Sequence, residues 1–297
     1  KQIGDNPRLA GAEAISQALA LAQRSGEPPA LVWLNSAPGF EEETLLGIQD
    51  VIGASVPIAG GSTGDNTIEG NWKQFNREEV FSDGVIVTAM YPSEGVCMSF
   101  HSGYSPSDKT GIVTKVDGRT LYEIDGKPAA EVYNKWTNGA VDEFMNGGNV
   151  LAATSLYPIG RVAGKMGEID YHRLSHPETV TADGALTLFS VMEKGDEITL
   201  MTGTRENLVS RAGIVAKAAL EIGRTSKEKI CGGLIVYCAG CMLTVQDEMD
   251  RVAQEITNEI DASFLGVFTF GEQGCFYSGE NYHGNLMISV VLFKKEK

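Results

Sequence analysis

An α/β fold of two pseudo-repeated α/β units, with mixed sheets flanked by helices, is what this sequence predicts. Short apolar runs, such as Leu31-Val-Trp-Leu34 and Leu234-Ile-Val-Tyr237, alternate with stretches of helical periodicity. One order of features occurs twice: strand, small-residue loop, helix, strand, glycine-plus-acid loop, strand. The 297 residues are enough for two ordinary domains with buried cores, divided here at 1–126 and 127–297.

Asp5-Asn6-Pro7 precedes an alanine-rich helix expected over 9–24. A buried strand at 31–34 follows. Glu41-Glu-Glu43 then opens a helix, the acids standing where the macrodipole favours them. Val56-Pro-Ile58 leads into the loop Gly60-Gly-Ser-Thr-Gly-Asp65, and Gly84-Val-Ile-Val-Thr88 reads as a strand. Asp117-Gly118 predicts a hairpin between 111–116 and 119–124. Pro128 starts a short helix over 129–136. A second hairpin is expected between 186–192 and 197–201, around Gly195-Asp196, and a helix over 207–222. In the second repeat a strand at 234–237 runs into Cys238-Ala-Gly-Cys241. Val245, Met249, Val252, Ile256 and Ile260 then share one helical face. Strands at 264–270 and 286–293 complete the chain.

The net charge of −15 argues against nucleic-acid binding, which needs clustered Lys and Arg, and equally against an anionic membrane surface. No apolar run reaches the ~18 to 20 residues of a spanning helix, and no leader is visible. Five cysteines are too sparse for a disulfide framework and favour a reducing compartment.

If the paired strands of each repeat are parallel, their carboxyl ends share an edge, where open α/β sheets place ligands. That edge gathers Cys238, Cys241, Glu272 and Cys275, and an antiparallel terminal strand adds His283 and Asn285. The first repeat offers Asn35, Ser36, Ser62, Thr63 and Asp65. Three chemistries suit the second set. Cys238, Cys241, Cys275 and His283 have the ligand types of a zinc site, or of an iron–sulfur cluster. Cys238-x-x-Cys241, between strand and helix, has the form of a redox pair. A nucleophilic thiol with His283 or Glu272 as base is the third, and small apolar filler is the alternative to all of them. His101, His172 and His176 are possible haem ligands, against a plain hydrogen-bonded role. Gly60-Gly-Ser-Thr-Gly64 lacks the lysine of a phosphate loop, so its glycines argue for a tight turn or close approach.

Three sets of residues give the chain a resemblance to the FIST family of paired FIST-N and FIST-C domains. They are Ala59-Gly-Gly-Ser-Thr-Gly-Asp65 with Asp83-Gly-Val-Ile-Val, Gly233-Leu-Ile-Val-Tyr-Cys-Ala-Gly-Cys241, and Phe270-Gly-Glu-Gln-Gly-Cys275 with His283-Gly-Asn-Leu-Met287. Gln273 stands where family members often have isoleucine, and Gly284 separates His283 from Asn285. The resemblance implies a cytoplasmic sensory module that is not an enzyme. It would bind a small ligand, such as an amino acid, and signal through a partner such as a histidine kinase, a cyclic-dinucleotide enzyme or a chemoreceptor. One branch of the family carries haem and senses nitric oxide. Glu272, His283 and Asn285, with Ser62, Thr63 and Asp65 across the pseudo-symmetric interface, are the expected ligand contacts.

Overall fold

The computed structural model describes residues 1–66, 68–166 and 169–296. Its helices are α1 (Pro7–Leu21), α2 (Glu41–Ile52), α3 (Ala129–Trp136), α4 (Leu151–Thr154), α5 (Arg205–Ile222), α6 (Ala239–Thr244) and α7 (Met249–Ile260). Asn6 caps α1 by accepting from Leu9 N at 2.9 Å, with Pro7 where its missing N–H costs nothing. Thr204 caps α5 through Asn207 N at 3.1 Å.

Both repeats have the expected parallel pair. Leu31–Ser36 runs parallel to Ile58–Ser62, and Ile230–Cys238 parallel to Phe264–Thr269. On its other side each first strand carries an antiparallel partner, Val85–Met90 in one repeat and Met287–Lys294 in the other. The repeats then exchange strands. The hairpin Glu272–Cys275/Asn281–Gly284 leaves the second repeat and pairs with Ile58–Ser62, giving a five-stranded sheet. Val96–Ser102 leaves the first repeat and pairs with Met287–Lys294, giving a four-stranded sheet.

Strand alternation makes these sheets the middle of a four-layer sandwich. Val32 and Leu34 face α1 and α2, while Leu31 faces the other sheet with Ala59 and Val291, flanked by Trp33 and Leu234. Ile235, Tyr237, Ile288 and Val290 pack on the far side against Leu208, Val215 and Ala219 of α5 and Val252 and Ile256 of α7. A third sheet, of nine strands among the described residues, has its own core with α3, around Val113, Ile124, Tyr133 and Ile198.

The Asp117-Gly118 hairpin forms as expected, with Asp117 opposite Thr120 and Gly118 at φ +55°. The expected hairpin across Gly195-Asp196 does not. Leu186–Leu188 pairs with Pro177–Val180 and Thr120–Ile124, whereas Glu197–Thr202 pairs with Ser105–Asp117 and Ile159–Met166. The chain between leaves the sheet because its amides have other partners. Phe189 N donates to His176 O, Val191 N to Glu42 Oε1 and Met192 N to Gly118 O. The helix expected from Val245 is broken, with α6 ending before a 3₁₀ turn at Gln246–Glu248. Val245, Val252, Ile256 and Ile260 are nevertheless all buried.

Candidate functional site

The two repeats meet where their second strands end. Ser62 N donates to Gly271 O at 2.8 Å and Phe270 N to Ser62 O at 3.0 Å, joining the two glycine-bearing loops. Gly271 is required there, since a Cβ would lie 2.4 Å from His283 Cε1. A polar network runs through the junction. Gln273 Nε2 lies 3.2 Å from His283 Nδ1 and donates to Ser62 Oγ (3.3 Å), and Ser62 Oγ donates to Glu41 Oε1 (2.7 Å). His283 Nε2 donates to Phe189 O at 3.2 Å. Arg119 Nη2 reaches Glu41 Oε2 (2.6 Å) and Glu42 Oε2 (2.7 Å). Burial alone would raise the Glu42 carboxyl, but His283, Arg119 and the Val191 N–H hold it at about 2. The same opposition leaves Glu41 below its ordinary range, with His283 and Arg119 outweighing burial.

Glu272 is fully buried and fastens three segments. It bonds Thr269 Oγ1 at 2.8 Å, accepts from Met287 N at 2.9 Å, and lies opposite Gly61. Burial, reinforced by nearby Cys238, pushes its carboxyl well above the usual carboxylate range.

A cavity of 670 Å³ opens beside this junction, over the end of Ile230–Cys238. Its wall includes Asn285, His176, Cys238, Phe189 and Phe270, with Leu151, Leu243 and Ile68, and among the described residues it carries no Asp, Glu, Lys or Arg. Asn285 is 1% exposed; its Oδ1 accepts from His176 N at 3.2 Å, while its Nδ2 has no partner among the described residues. His176 Nε2 donates to Leu151 O at 3.2 Å, which leaves Nδ1 as an acceptor. Burial lowers the His176 ring to about 4, so the imidazole is neutral near pH 7. One unpaired donor and one neutral imidazole acceptor thus line an otherwise apolar chamber.

All five cysteines are free thiols. Cys238 and Cys241 hydrogen-bond each other, and Tyr104 Oη lies 3.5 Å from Cys241 Sγ. The bond to Cys241, with burial, pushes the Cys238 thiol well up. Burial would also raise Cys241, but Cys238, the Arg211 charge and the Tyr104 hydroxyl draw it below its ordinary value. Cys275 lies elsewhere, with Sγ toward Phe276 O at 3.5 Å and its thiol pushed by burial to about 11.

Cys238, Cys241, Cys275 and His283 therefore do not converge as a metal site. Among the described residues the converging group is Glu41, Glu42 and His283, with donor atoms within 4.8 Å of one another. That group is already satisfied. Arg119 takes the place a cation would occupy, and Ser62, Val191, Gln273 and Phe189 hold the remaining donor atoms. His101 lines a separate pocket on Val96–Ser102, and His172 lies on Ile169–Ser175.

The expected ligand residues thus divide. Asn285 and Cys238 reach the cavity, Ser62 and His283 belong to the network beside it, and Glu272 lies beneath it. Thr63 donates to Ser36 O at 3.2 Å, and Asp65 accepts from Glu69 N (3.0 Å) and Asn71 N (2.8 Å), so both shape their own loop. Sequence reading missed Gln273, Arg119 and Phe189 as parts of the site, and gave Glu41 and Glu42 only a helix-dipole role. The departure at Gln273 from the family pattern was the available signal. Arg119 and Phe189 carried none.

Comparison with known proteins agrees with this two-part construction. The FIST N domain model matches residues 2–127 and the FIST C domain model residues 129–275. An uncharacterized protein of Methanocaldococcus jannaschii is 33% identical over 88 residues, which is 29% of this chain and 17% of that protein. The chain thus spans well under two thirds of that relative. No helix among the described residues is long and apolar enough to cross a membrane. With both halves matched in order, the chain belongs to the FIST family, whose domains are the sensory domains of signalling proteins.

Proposed function

We propose that this protein is a binding unit rather than an enzyme, and that its ligand is a small neutral molecule with an apolar, ring-sized body held in the 670 Å³ cavity. The observation carrying the reading is Asn285, buried on the cavity wall with an unpaired amide donor. A buried unpaired donor costs about 1–3 kcal/mol, which a ligand acceptor would recover. Neutral His176 offers the matching acceptor, and the lack of charge on the wall selects against ions. A hydroxyl group satisfies both partners, accepting from Asn285 and donating to His176.

Phe189 supports a route for the signal. Its ring lines the cavity, while its carbonyl accepts from His283 and Val191, two residues on, donates to Glu42. A ligand that moves Phe189 would perturb the Glu41–Arg119–Glu42 network at the junction of the repeats. Output would pass to a signalling partner such as a histidine kinase or a cyclic-dinucleotide enzyme, as the family resemblance implies.

Calorimetric titration with phenol as probe, and toluene as the analogue without a hydroxyl, tests the cavity. Phenol should bind, and Asn285→Ala should weaken it about tenfold, the equivalent of about 1.4 kcal/mol. Leu243→Trp, at an exposed position on the cavity wall, should abolish binding without unfolding the protein. Equal affinity for phenol and toluene, or an unaffected Leu243→Trp variant, would overturn the reading. A Soret band in freshly purified protein would replace it with the haem alternative.

The hydrogen-bonded pair Cys238–Cys241 favours a second reading, a redox sensor. The two thiols would lose two hydrogen atoms to a hydroperoxide entering the cavity, forming a disulfide while the peroxide becomes alcohol and water. Mass spectrometry after peroxide treatment should then show a loss of two mass units between these cysteines. Oxidation only at exposed Cys231 would sink it.

A further inference from the structure

On α5, Arg211 is a buried cation without an anion. It is 2% exposed, and only its Nη2 has a hydrogen bond, to Leu286 O at 2.9 Å. Nε and Nη1 have no partner, and no ion pair to Arg211 exists among the described residues. A guanidinium carries its charge at any ordinary pH, and burying it unpaired is unfavourable. The interior offers poor compensation. Both oxygens of Glu272 are committed to Thr269 and Met287. Cys241 lies beyond Tyr104, whose ring centroid is 5.5 Å from the Arg211 guanidinium carbon.

Arg211 instead lines a pocket of 450 Å³ that shares no wall residue with the cavity beside Asn285. Gly103 is shaped around the arginine, since a Cβ there would lie 2.3 Å from Arg211 Cδ. Ser102 and Ser210 supply hydroxyls to the pocket; Phe100, Val215 and Ile214 supply its apolar wall.

We propose that this pocket binds an organic monocarboxylate, with the carboxylate on the free Nε and Nη1 edges of Arg211 and an apolar body against Phe100, Val215 and Ile214. One guanidinium matches one negative charge, and Glu221 on the same wall disfavours a second. The apolar wall distinguishes this ligand from inorganic phosphate, and its volume is at the small end of the roughly 300–1,000 Å³ typical of ligand pockets.

The test is calorimetric titration of the full chain with phenylacetate and hexanoate, beside phenylacetamide and inorganic phosphate. Both carboxylates should bind one to one, the neutral amide at least about tenfold more weakly, and phosphate not at all. Arg211→Gln should abolish carboxylate binding. Because that buried change can also disturb folding, Ile214→Glu, at a position 63% exposed, sets a carboxylate at the pocket and should weaken binding at least about tenfold in a folded protein. Asn285→Ala should leave carboxylate affinity unchanged, which separates this site from the phenol site. Failure of both carboxylates to bind, equal binding of the amide or of phosphate, or full affinity in Ile214→Glu would overturn the proposal.

Discussion

Asn285 and His176 show how burial decides what a polar residue can do. Each is nearly inaccessible, yet each keeps one hydrogen-bonding atom uncommitted at the same cavity. Because burial holds His176 at about 4, it gives stability that is full above its ordinary value of 6.5. The unfolded chain binds the proton more readily, so this contribution falls as pH drops from 6.5 toward 4. The size is on the order of 3 kcal/mol. Urea titrations across that window should show the loss, and His176→Phe should flatten it. A slope unchanged in the variant would assign the pH dependence elsewhere. Asn285 was legible as a candidate site residue because it follows His283-Gly284 at the start of a terminal strand. His176 was visible only as a loop histidine, since its pairing with Asn285 spans 109 residues of sequence.

Among the elements, the hairpin Glu272–Cys275/Asn281–Gly284 and the α2 amino terminus form one polar joint held by Arg119. Glu41 and Glu42 looked like acids that stabilise a helix start, and they do stand at one. Only the folded chain shows that the same carboxylates are neutralised by an arginine from a hairpin turn and capped by the Val191 amide. Arg119→Met would leave two largely buried carboxylates without their cation and should destabilise the protein by about 3 kcal/mol, measured by denaturant unfolding. A change within about 0.5 kcal/mol would show the joint to be dispensable. Glu42, held near 2, adds stability that is full above its ordinary 4.5 and is lost as pH falls from there toward 2. Local periodicity made most helices and the parallel pairs legible. The strand order across the third sheet was not, because its register depends on partners distant in sequence, as for Leu186–Leu188 and Glu197–Thr202.

At the scale of the molecule, the repeat predicted from sequence is present in the topology, but the repeats are interlocked. Residues 1–126 lack the hairpin that completes the five-stranded sheet, and 127–297 lack the Val96–Ser102 strand of the other. Each half expressed alone should therefore fail to show a cooperative thermal transition, while the full chain unfolds with its two sheets together. Independent cooperative melting of either half would contradict that coupling. The exchange also sets the cavity beside the joint, with Phe189 reaching both. A ligand of the kind proposed would thus be felt by both halves.

The central claim is that Asn285 meets a ligand in the cavity over the end of Ile230–Cys238. The most direct measurement is two-dimensional NMR of ¹⁵N-labelled protein titrated with phenol, following the Asn285 side-chain amide pair assigned through Asn285→Ala. The account predicts that this pair shifts and saturates with the calorimetric affinity, and that Leu243→Trp abolishes the shift. Saturable phenol binding that leaves the Asn285 pair unmoved would contradict it.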